Sequence, residues 1–281
     1  MKFSLIVATL GRSAELERLF NSLAVQTHQD FELIVVDQNA DDRVETLVER
    51  FKYLIQIVYL RSERGLSRAR NVGLQAVRGD VVAFPDDDCW YRPDVLEFVA
   101  LKLTTTEAAS AGLTGASVDG DDKPSQGRWA TSPLTVNRYN IWTCATSYTI
   151  FLRTDAVRAV GRFDEQLGVG SGSRWGAGEE VNFLLGVIDA GFQVHYEPSL
   201  RVCHPEPLAV FDHKAYTRGR LYNRGFGRVL SLNRYPLHFV FYLTARPVAA
   251  CLISFLKGDV SRARYCWIAA TNRMLGWADR R

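Results

Sequence analysis

Hydrophobic residues in the first hundred positions alternate between short unbroken runs and helically spaced sets. The unbroken runs are typical of strands buried on both faces, and they cover Phe3–Thr9, Phe31–Val36, Ile55–Leu60 and Val81–Phe84. Helices are predicted after Ser13, from Asp41 or Asp42 to about Phe51, over 67–76, and from Pro93 to about Leu103. This alternation predicts an α/β fold, a mostly parallel sheet with helices on both faces.

Beyond residue 103 the pattern is less regular, and five glycines fall between residues 168 and 178. So glycine-rich a segment is predicted to be mobile or unusually bent. The elements predicted around it are a polar loop over 119–127, a strand over Tyr148–Leu152, a helix near Thr154–Val160, a helix around Val181 that ends at Gly191, and a strand over Phe192–Tyr196.

Composition identifies a folded chain with an uneven charge distribution. Of 281 residues, 47% are hydrophobic and 23% charged, which excludes disordered and fibrous classes. The net charge is +3, from 34 Lys/Arg and 31 Asp/Glu. Residues 212–281 contain 13 Lys/Arg and 3 Asp/Glu, and residues 1–211 contain 21 Lys/Arg and 28 Asp/Glu. An acidic body therefore precedes a basic tail, and the tail indicates an anionic partner.

The basic tail, residues 212–281, is predicted to be helical. It begins with arginines interleaved with aromatic residues between Arg218 and Arg228, continues with the apolar stretch Pro236–Leu256, and ends with a helical pattern over Ser261–Trp277. It could bind an anionic membrane surface, with Pro236–Leu256 dipping into or spanning the membrane, or it could pack on the acidic body, or bind nucleic acid. We favour the membrane surface, and nucleic acid is the least favoured. Arg246-Pro247 near the midpoint of the apolar stretch argues against a spanning helix.

The cysteine pattern and the N-terminus indicate a compartment. The five cysteines are scattered, with no Cys-x-x-Cys pair, and the apolar run Phe3–Leu10 lacks the flanks of a signal peptide. We therefore expect a cytoplasmic protein, held peripherally at the inner face of the cell membrane by its tail.

Polar residues follow each of the first four predicted strands, where a parallel sheet binds its ligands. They are Thr9–Arg12, Asp37–Asn39, Arg61–Gly65 with Arg68 close behind, and Asp86–Asp88. This set predicts a site for a polar, phosphorylated ligand. No G-x-G-x-x-G follows the first strand and no P-loop pattern occurs, so dinucleotide and P-loop nucleotide binding are poorly supported.

The triplet Asp86-Asp87-Asp88 carries the strongest chemical signal. Three neighbouring carboxylates repel one another unless a cation lies among them, and in an extended segment Asp86 and Asp88 point to the same side. Two such oxygen donors suit Mg²⁺ or Mn²⁺. The alternative is a solvated acidic turn, which the preceding apolar strand and the following Trp90 disfavour.

Several ordered motifs together resemble those of inverting family 2 glycosyltransferases with the GT-A fold. The motifs are Ser4–Thr9 with Gly11-Arg12, Ile34–Asp37 with Asn39, Gly65–Gly73, and Phe84–Tyr91. The resemblance covers roughly residues 1–210. It implies a GT-A catalytic domain over 1–211, with a nucleotide-sugar half over about 1–103 and an acceptor half over about 104–211, followed by the tail over 212–281.

The resemblance also implies roles for particular residues. The nucleotide sugar would be bound by Thr9, Arg12, Asp37, Asn39, Arg68, Asp86 and Asp87. A Mg²⁺ or Mn²⁺ ion would be bound by Asp88, Asp86 and His204, although a lone histidine can equally be structural. Glu179-Glu180 matches a Glu-Asp pair whose second member is the base, so Glu180 is the first candidate and Glu179 the second; both could instead be ordinary first-turn glutamates. Trp175 is predicted either to stack on a sugar as part of a lid or to lie in the core.

The expected function is metal-dependent, inverting transfer of a sugar from a nucleoside-diphosphate sugar to a glycan or lipid-linked acceptor. A UDP-sugar is the first expectation for the donor, ahead of GDP- and dTDP-sugars. One alternative is a non-catalytic nucleotide-sugar-binding protein on the same fold. A nucleotidyltransferase is less favoured, because Leu10–Ser13 is too short for the glycine-rich loop that class carries after its first strand.

Overall fold

The structure, a computed structural model, describes residues 1–105, 110–206 and 210–279. The strands in these ranges are β1 (Phe3–Thr9), β2 (Phe31–Asp37), β3 (Ile57–Arg61), β4 (Val81–Ala83), β5 (Ser110–Val118), β6 (Leu134–Thr135), β7 (Ile150–Arg153) and β8 (Gln193–Cys203). The helices are α1 (Ala14–Ala24), α2 (Arg43–Phe51), α3 (Leu66–Leu74), α4 (Val95–Thr105), α5 (Thr154–Val160), α6 (Glu179–Asp189), α7 (His213–Leu232), α8 (Leu237–Leu256) and α9 (Val260–Ala278).

The strands form one mixed, mostly parallel sheet in the order β3-β2-β1-β4-β7-β5-β8-β6. β1 pairs in parallel with β2 and β4, β2 with β3, and β5 with β8, whereas β7 and β6 run antiparallel to their neighbours. Every residue of β1 and of β2 is buried, as continuous apolar strands covered on both faces require. The predicted α/β class is confirmed.

Helices cover both faces of the first four strands. Leu5 and Val7 of β1 belong to a buried cluster that includes apolar side chains of α1, α2 and α4. Ile6, on the opposite face, lies against Gly73 of α3, where an added Cβ would come within 2.5 Å of the isoleucine side chain. The alternation of side chains along a strand therefore assigns one helical layer to each face.

Two features of the sheet escaped the sequence pattern. β5 has the sequence Ser-Ala-Gly-Leu-Thr-Gly-Ala-Ser-Val, whose small residues give little hydrophobic signal. They are needed for close packing, because a Cβ at Gly112 would lie 2.6 Å from the Phe151 carbonyl oxygen and one at Gly115 2.2 Å from that of Leu200. β8 continues past Tyr196, where the prediction ended, to Cys203.

Of two predicted helix starts, that of α1 after Ser13 is confirmed, whereas that of α4 differs from the structure. Ser13 occupies the N-cap position of α1, but its side chain makes no capping hydrogen bond. α4 begins at Val95 rather than at Pro93. The other helices of the first half begin and end close to their predicted bounds, because their apolar positions recur at the helical period.

The chain divides into two compact units. Unit 1 comprises Met1–Arg64, Arg68–Phe163 and Phe183–Pro207, and unit 2 comprises Gly65–Ser67, Asp164–Asn182 and Leu208–Arg281. Unit 1 contains the whole sheet. Unit 2 contains the glycine-rich segment together with the tail. The domain boundary at 211/212 stays a prediction.

In unit 2, α7 and α9 pack with their backbones in close approach. A Cβ at Gly227 of α7 would lie 2.0 Å from the Arg273 carbonyl oxygen, and a Cβ at Gly276 of α9 would lie 2.0 Å from that of Arg224. Glycine at both positions lets the helices approach more closely than any larger residue allows. Helix α8 also packs on α9.

A partly buried arginine supports the proline inside α8. Pro247 has no N–H with which to hydrogen-bond the Leu243 carbonyl, four residues before it. Arg273 of α9 donates from Nη1 to that carbonyl oxygen at 2.6 Å and from Nη2 to Asn223 Oδ1 at 2.9 Å. Its guanidinium also lies 3.9 Å from the centre of the Phe226 ring. Burial lowers the pKa of Arg273 to about 10, which leaves it charged at neutral pH.

Replacing Arg273 with Met is expected to lower the free energy of unfolding by about 2–3 kcal/mol, because a buried carbonyl loses a charged donor. In a Pro247→Ala background the loss should be at least about 1 kcal/mol smaller, since residue 247 then supplies its own N–H to Leu243. Urea denaturation of the four proteins of this cycle measures both values. Arg262→Met, at an exposed position of the same helix, is the matched control. Strictly additive losses would contradict the role assigned to Arg273.

Candidate active site

The carboxyl ends of β1, β2 and β4 bring polar side chains together in unit 1. Thr9 is paired with Asp37 in the parallel register of β1 and β2, and Ala8 forms a bridge with Asp86 beyond the end of β4. Thr9 Oγ1 donates a hydrogen bond to Asp87 Oδ2 at 2.8 Å. The sheet topology thus assembles three of the four strand exits that the sequence singled out.

Arg12 forms ion pairs with two of the three neighbouring carboxylates. Its Nη1 lies 2.6 Å from Asp87 Oδ1 and 2.6 Å from Asp88 Oδ2. Asp86 instead accepts from Arg70 Nη2 at 3.1 Å and from Ser147 Oγ at 2.9 Å. The triplet is therefore a partly buried, arginine-bound cluster rather than a solvated acidic turn.

The environment separates the proton affinities of these carboxyl groups. Burial raises the pKa of Asp87 to about 6, against the opposing effect of Arg12. Burial also raises the pKa of Asp86, in spite of the Arg70 charge. For Asp88 the effect of burial is outweighed by His204 and Arg12, so its pKa is lowered.

Asp86, Asp88 and His204 form a group that could hold a divalent cation. One ligand atom from each lies within 4.8 Å of the others, and His204 Nε2 is 3.0 Å from Asp88 Oδ1. His204 Nδ1 lies 2.8 Å from the Pro205 carbonyl oxygen. A proton on Nδ1 would donate to that carbonyl and leave the Nε2 lone pair for a metal, the usual arrangement of a ligating histidine. Two carboxylates and an imidazole suit Mn²⁺ or Mg²⁺.

Strand pairing brings His204 to this group from the far end of the sheet. Cys203, the last residue of β8, forms two backbone hydrogen bonds of 3.0 Å with Trp90, just beyond the triplet. The imidazole of His204 then stacks on Tyr148, with ring centres 4.8 Å apart. Gln126 Nε2 donates to the Pro205 carbonyl oxygen at 2.7 Å. No sequence pattern indicates the contact of Tyr148 with His204 or that of Gln126 with Pro205.

Asp37 is held rigidly at the end of β2. It is fully buried, and its Oδ1 accepts from the backbone N–H and the side-chain amide of Asn39 at 2.8 and 2.7 Å. Its Oδ2 accepts from the Tyr59 hydroxyl at 2.8 Å, and burial with this contact raises the pKa of Tyr59 to about 12. Asn39 in turn accepts from the Gly11 N–H at 2.7 Å. The predicted residues Asp37 and Asn39 therefore form one network with the loop after β1.

Of the arginines in α3, the structure directs Arg70 to the carboxylates rather than Arg68. Arg68 forms an exposed ion pair with Glu63 at 2.7 Å. Arg70 has only 1% of its side chain exposed, and it pairs with Asp86. The sequence analysis singled out Arg68. The helical spacing from Arg70 to the buried Gly73 is the signal that could have identified Arg70 as facing the sheet.

The two candidate bases lie in unit 2, in the first turn of α6. Glu179 is buried and Glu180 is partly exposed. Gly168 has a φ of +98°, and a Cβ there would lie 3.0 Å from Glu179 Oε2. Gly168 of the glycine-rich segment therefore lies directly beside the Glu179 carboxylate.

Trp175 lies within the packing of unit 2, with 5% of its surface exposed. Its ring is 4.5 Å from the Arg228 guanidinium, and its Nε1 donates to Asp279 Oδ2 at 3.3 Å. Asp279 also accepts from Arg224 Nε at 2.9 Å, and these contacts lower its pKa. Asp279 thus links Trp175 of the glycine-rich segment to Arg224 of α7 through hydrogen bonds. The core position is the one observed, and stacking of Trp175 on a sugar stays a prediction.

Comparison with known proteins identifies sequence and fold relatives. The model of a family described as "Glycosyl transferase family 2" matches residues 4–160. An uncharacterized glycosyltransferase of Haemophilus influenzae is 33% identical over 96 residues, which cover 34% of this chain and 32% of that protein. The chain thus spans about a third of the length of this curated relative.

Two relatives have solved structures. TarS of Staphylococcus aureus, a poly(ribitol-phosphate) beta-N-acetylglucosaminyltransferase, is 32% identical over 105 residues, 36% of this chain and 18% of that protein. Its residues 1–349 in complex with UDP-GlcNAc give a TM-score of 0.61 at 20% identity, covering 97% of this chain and 92% of that chain. The mannosyltransferase PcManGT of Pyrobaculum calidifontis, in complex with GDP-Man and Mn²⁺, gives a TM-score of 0.69 at 15% identity. The match covers 99% of this chain and 88% of that chain. The predicted GT-A fold is confirmed.

Proposed function

Since the chain belongs to glycosyl transferase family 2, we propose that it transfers a sugar from a nucleoside-diphosphate sugar to a hydroxyl group of an acceptor. The observation that carries the proposal is the group Asp86, Asp88 and His204 beside Arg12 and Thr9, at the strand ends where a GT-A sheet offers a polar site.

The donor is proposed to be a UDP-sugar, with GDP- and dTDP-sugars as the alternatives. The related TarS was solved with UDP-GlcNAc and the mannosyltransferase with GDP-Man, so both nucleotides occur among the fold relatives. Asp37 and Asn39 would bind the nucleoside, and Arg12, Arg68, Asp86 and Asp87 would line the rest of the donor site. Arg70 would hold the Asp86 carboxylate in place through its ion pair.

We propose that the reaction depends on Mg²⁺ or Mn²⁺. Asp88, Asp86 and His204 would hold the cation, and the Pro205 carbonyl would fix the His204 ring. When bound, such a cation stabilises the negative charge of a diphosphate leaving group. The complex of the related mannosyltransferase with Mn²⁺ supports this choice of metal class.

The transfer is proposed to invert the configuration at the anomeric carbon. The acceptor oxygen forms a bond to that carbon while the bond to the diphosphate oxygen breaks, and the nucleoside diphosphate leaves. Glu180 receives the acceptor proton; Glu179 is the alternative base. The printed name of TarS specifies a beta product. Since UDP-GlcNAc carries its sugar in the alpha configuration, this name is consistent with inversion in that relative.

The acceptor is proposed to be a glycan or a lipid-linked saccharide. A lipid-linked acceptor fits the proposed location, in the cytoplasm at the inner face of the cell membrane, which the basic tail suggests. TarS, by its name, acts on a polymeric acceptor, poly(ribitol-phosphate).

A donor panel tests this function. The full chain is incubated with UDP-GlcNAc, UDP-Glc, GDP-Man and dTDP-sugars plus Mn²⁺, and free nucleoside diphosphate is measured. Release is expected with one donor, should cease in EDTA, and should return with excess Mn²⁺ or Mg²⁺. Nucleotide binding without turnover of any donor and acceptor would instead indicate a binding protein, and release of pyrophosphate from a nucleoside triphosphate would indicate a nucleotidyltransferase.

A further inference from the structure

Helix α8 leaves most of its apolar side chains in contact with solvent. Its most apolar 18-residue window has a mean hydropathy of 1.8, which is enough for a membrane span by length and composition. Only 22% of that window is buried inside the protein. A large exposed apolar patch of this kind marks an interaction site rather than a core helix.

The exposed side chains lie on one side of the helix. At 100° per residue, the buried positions Phe239, Val240, Thr244 and Ser254 fall on one half of the helical circumference. The other half carries the residues that we call the α8 surface: Leu237, Phe241, Tyr242, Leu252, Ile253, Phe255 and Leu256, which are between 46% and 84% exposed. The exposed half is thus at least as apolar as the buried one, the reverse of an ordinary surface helix.

Basic side chains lie near the α8 surface, and the acidic side chains of the same region cap helices or form an ion pair. Arg246, Lys257, Arg262 and Arg264 are exposed on α8, at its C-terminus and at the start of α9. The acidic residues of the sequence from 212 to 281 are Asp212, Asp259 and Asp279. The first two cap the N-termini of α7 and α9, and Asp279 pairs with Arg224. An apolar surface with surplus positive charge is complementary to an anionic lipid bilayer.

We propose that the α8 surface inserts into the interfacial region of an anionic lipid bilayer, with the helix axis in the membrane plane. Aromatic residues such as Tyr242 suit this zone, because they have an apolar ring and a polar tip. Binding through α8 names the contact for the proposed membrane location, and it is independent of sugar transfer.

A flat orientation follows from the packing of α8 on α9. If α8 crossed the bilayer, α9 beside it would enter the hydrocarbon region with Arg262, Arg264 and Arg273. Arginine near the bilayer centre costs several kcal/mol or more on most scales. With α8 flat, the buried half faces α9 and the protein, and only the α8 surface meets lipid.

The arginines between 218 and 228, which belong to the predicted membrane-binding tail, partly form contacts inside unit 2. Arg224 donates to the Asp279 carboxylate and Arg228 to the Asp279 carbonyl oxygen. Neutralising them would disturb unit 2 itself. The decisive variants are therefore on α8.

Vesicle flotation with the full chain tests the proposal. Wild-type protein is expected to float with phosphatidylcholine vesicles that contain 30% phosphatidylglycerol. It should bind more weakly to vesicles of pure phosphatidylcholine, and more weakly to the anionic vesicles at high salt. Leu252→Gln/Phe255→Gln/Leu256→Gln should lower the partition coefficient at least 10-fold. Tyr53→Gln/Leu54→Gln, which changes two residues of similar exposure in unit 1, should leave the partition coefficient unchanged.

Three outcomes would overturn the proposal. One is a wild-type protein that does not float, or a triple variant that floats equally well. Another is a wild-type dimer, seen by light scattering, that the triple variant converts to monomer, because the α8 surface would then join two copies. The third is resistance of the bound protein to alkaline carbonate extraction, which would indicate a spanning helix. Phe241→Gln/Tyr242→Gln repeats the test should the triple variant fold poorly. No arm includes donor turnover, so failure here leaves the proposed transfer untouched.

Discussion

Asp88→Ala is expected to abolish metal-dependent sugar transfer. Asp88 is the carboxylate closest to His204, and with Asp86 it supplies the oxygen donors of the candidate metal group. Loss of residues that merely orient a metal ligand costs 10- to 100-fold in affinity, so loss of a ligand should cost more than about 100-fold. Isothermal titration calorimetry with Mn²⁺ and the full chain measures the metal affinity. Release of nucleoside diphosphate measures the transfer.

The matched control is Asp94→Ala, the same change at an exposed position of unit 1. It should leave both Mn²⁺ affinity and transfer within twofold of wild type. Because Asp88 also pairs with Arg12, thermal unfolding of the variant should be recorded to separate lost binding from lost structure. Unchanged Mn²⁺ affinity in a folded Asp88→Ala protein, or full transfer in EDTA, would refute the proposed metal site.

The part of the fold that could be predicted is the part built from large apolar residues. β1 and β2 consist mostly of apolar residues on both faces, and the burial of those apolar residues follows from that pattern alone. β5 could not be predicted, because its glycines and other small residues are selected by close backbone contact with neighbouring strands. Such contact depends on the register of the sheet, which no local pattern records.

The site divides in the same way. Asp86, Asp88 and His204 could be proposed from motifs, and the structure brings them within 4.8 Å of one another. Helical spacing can place Arg70 on the face of α3 that meets the sheet, but the contacts of Arg70 and Ser147 with Asp86 could not be predicted. Helix α3 and the short 3₁₀ helix that begins at Ser147 meet Asp86 only in the folded sheet. Asp279 is 104 residues from Trp175 in sequence, and their hydrogen bond needs the folded tail.

Glu180→Gln is expected to lower the turnover number about 10²- to 10⁴-fold, which is the usual contribution of a positioned general base. Glutamine keeps the size and the hydrogen-bonding capacity of the side chain but cannot take the acceptor proton. Because the change lies in the first turn of α6 and leaves the strand-end residues of unit 1 intact, the dissociation constant for UDP should change less than threefold. Steady-state kinetics and nucleotide titration give both quantities.

Glu179→Gln is the matched comparison, one residue away in the same turn. The Glu179 carboxylate is buried against Gly168, so neutralising it should alter the packing of the glycine-rich segment and lower thermal stability more than turnover. Glu180 is partly exposed and can reach an acceptor from solvent, which is why the proton is assigned to it. A folded Glu179→Gln protein that loses turnover while Glu180→Gln retains it would reverse the assignment and make the buried carboxylate the base.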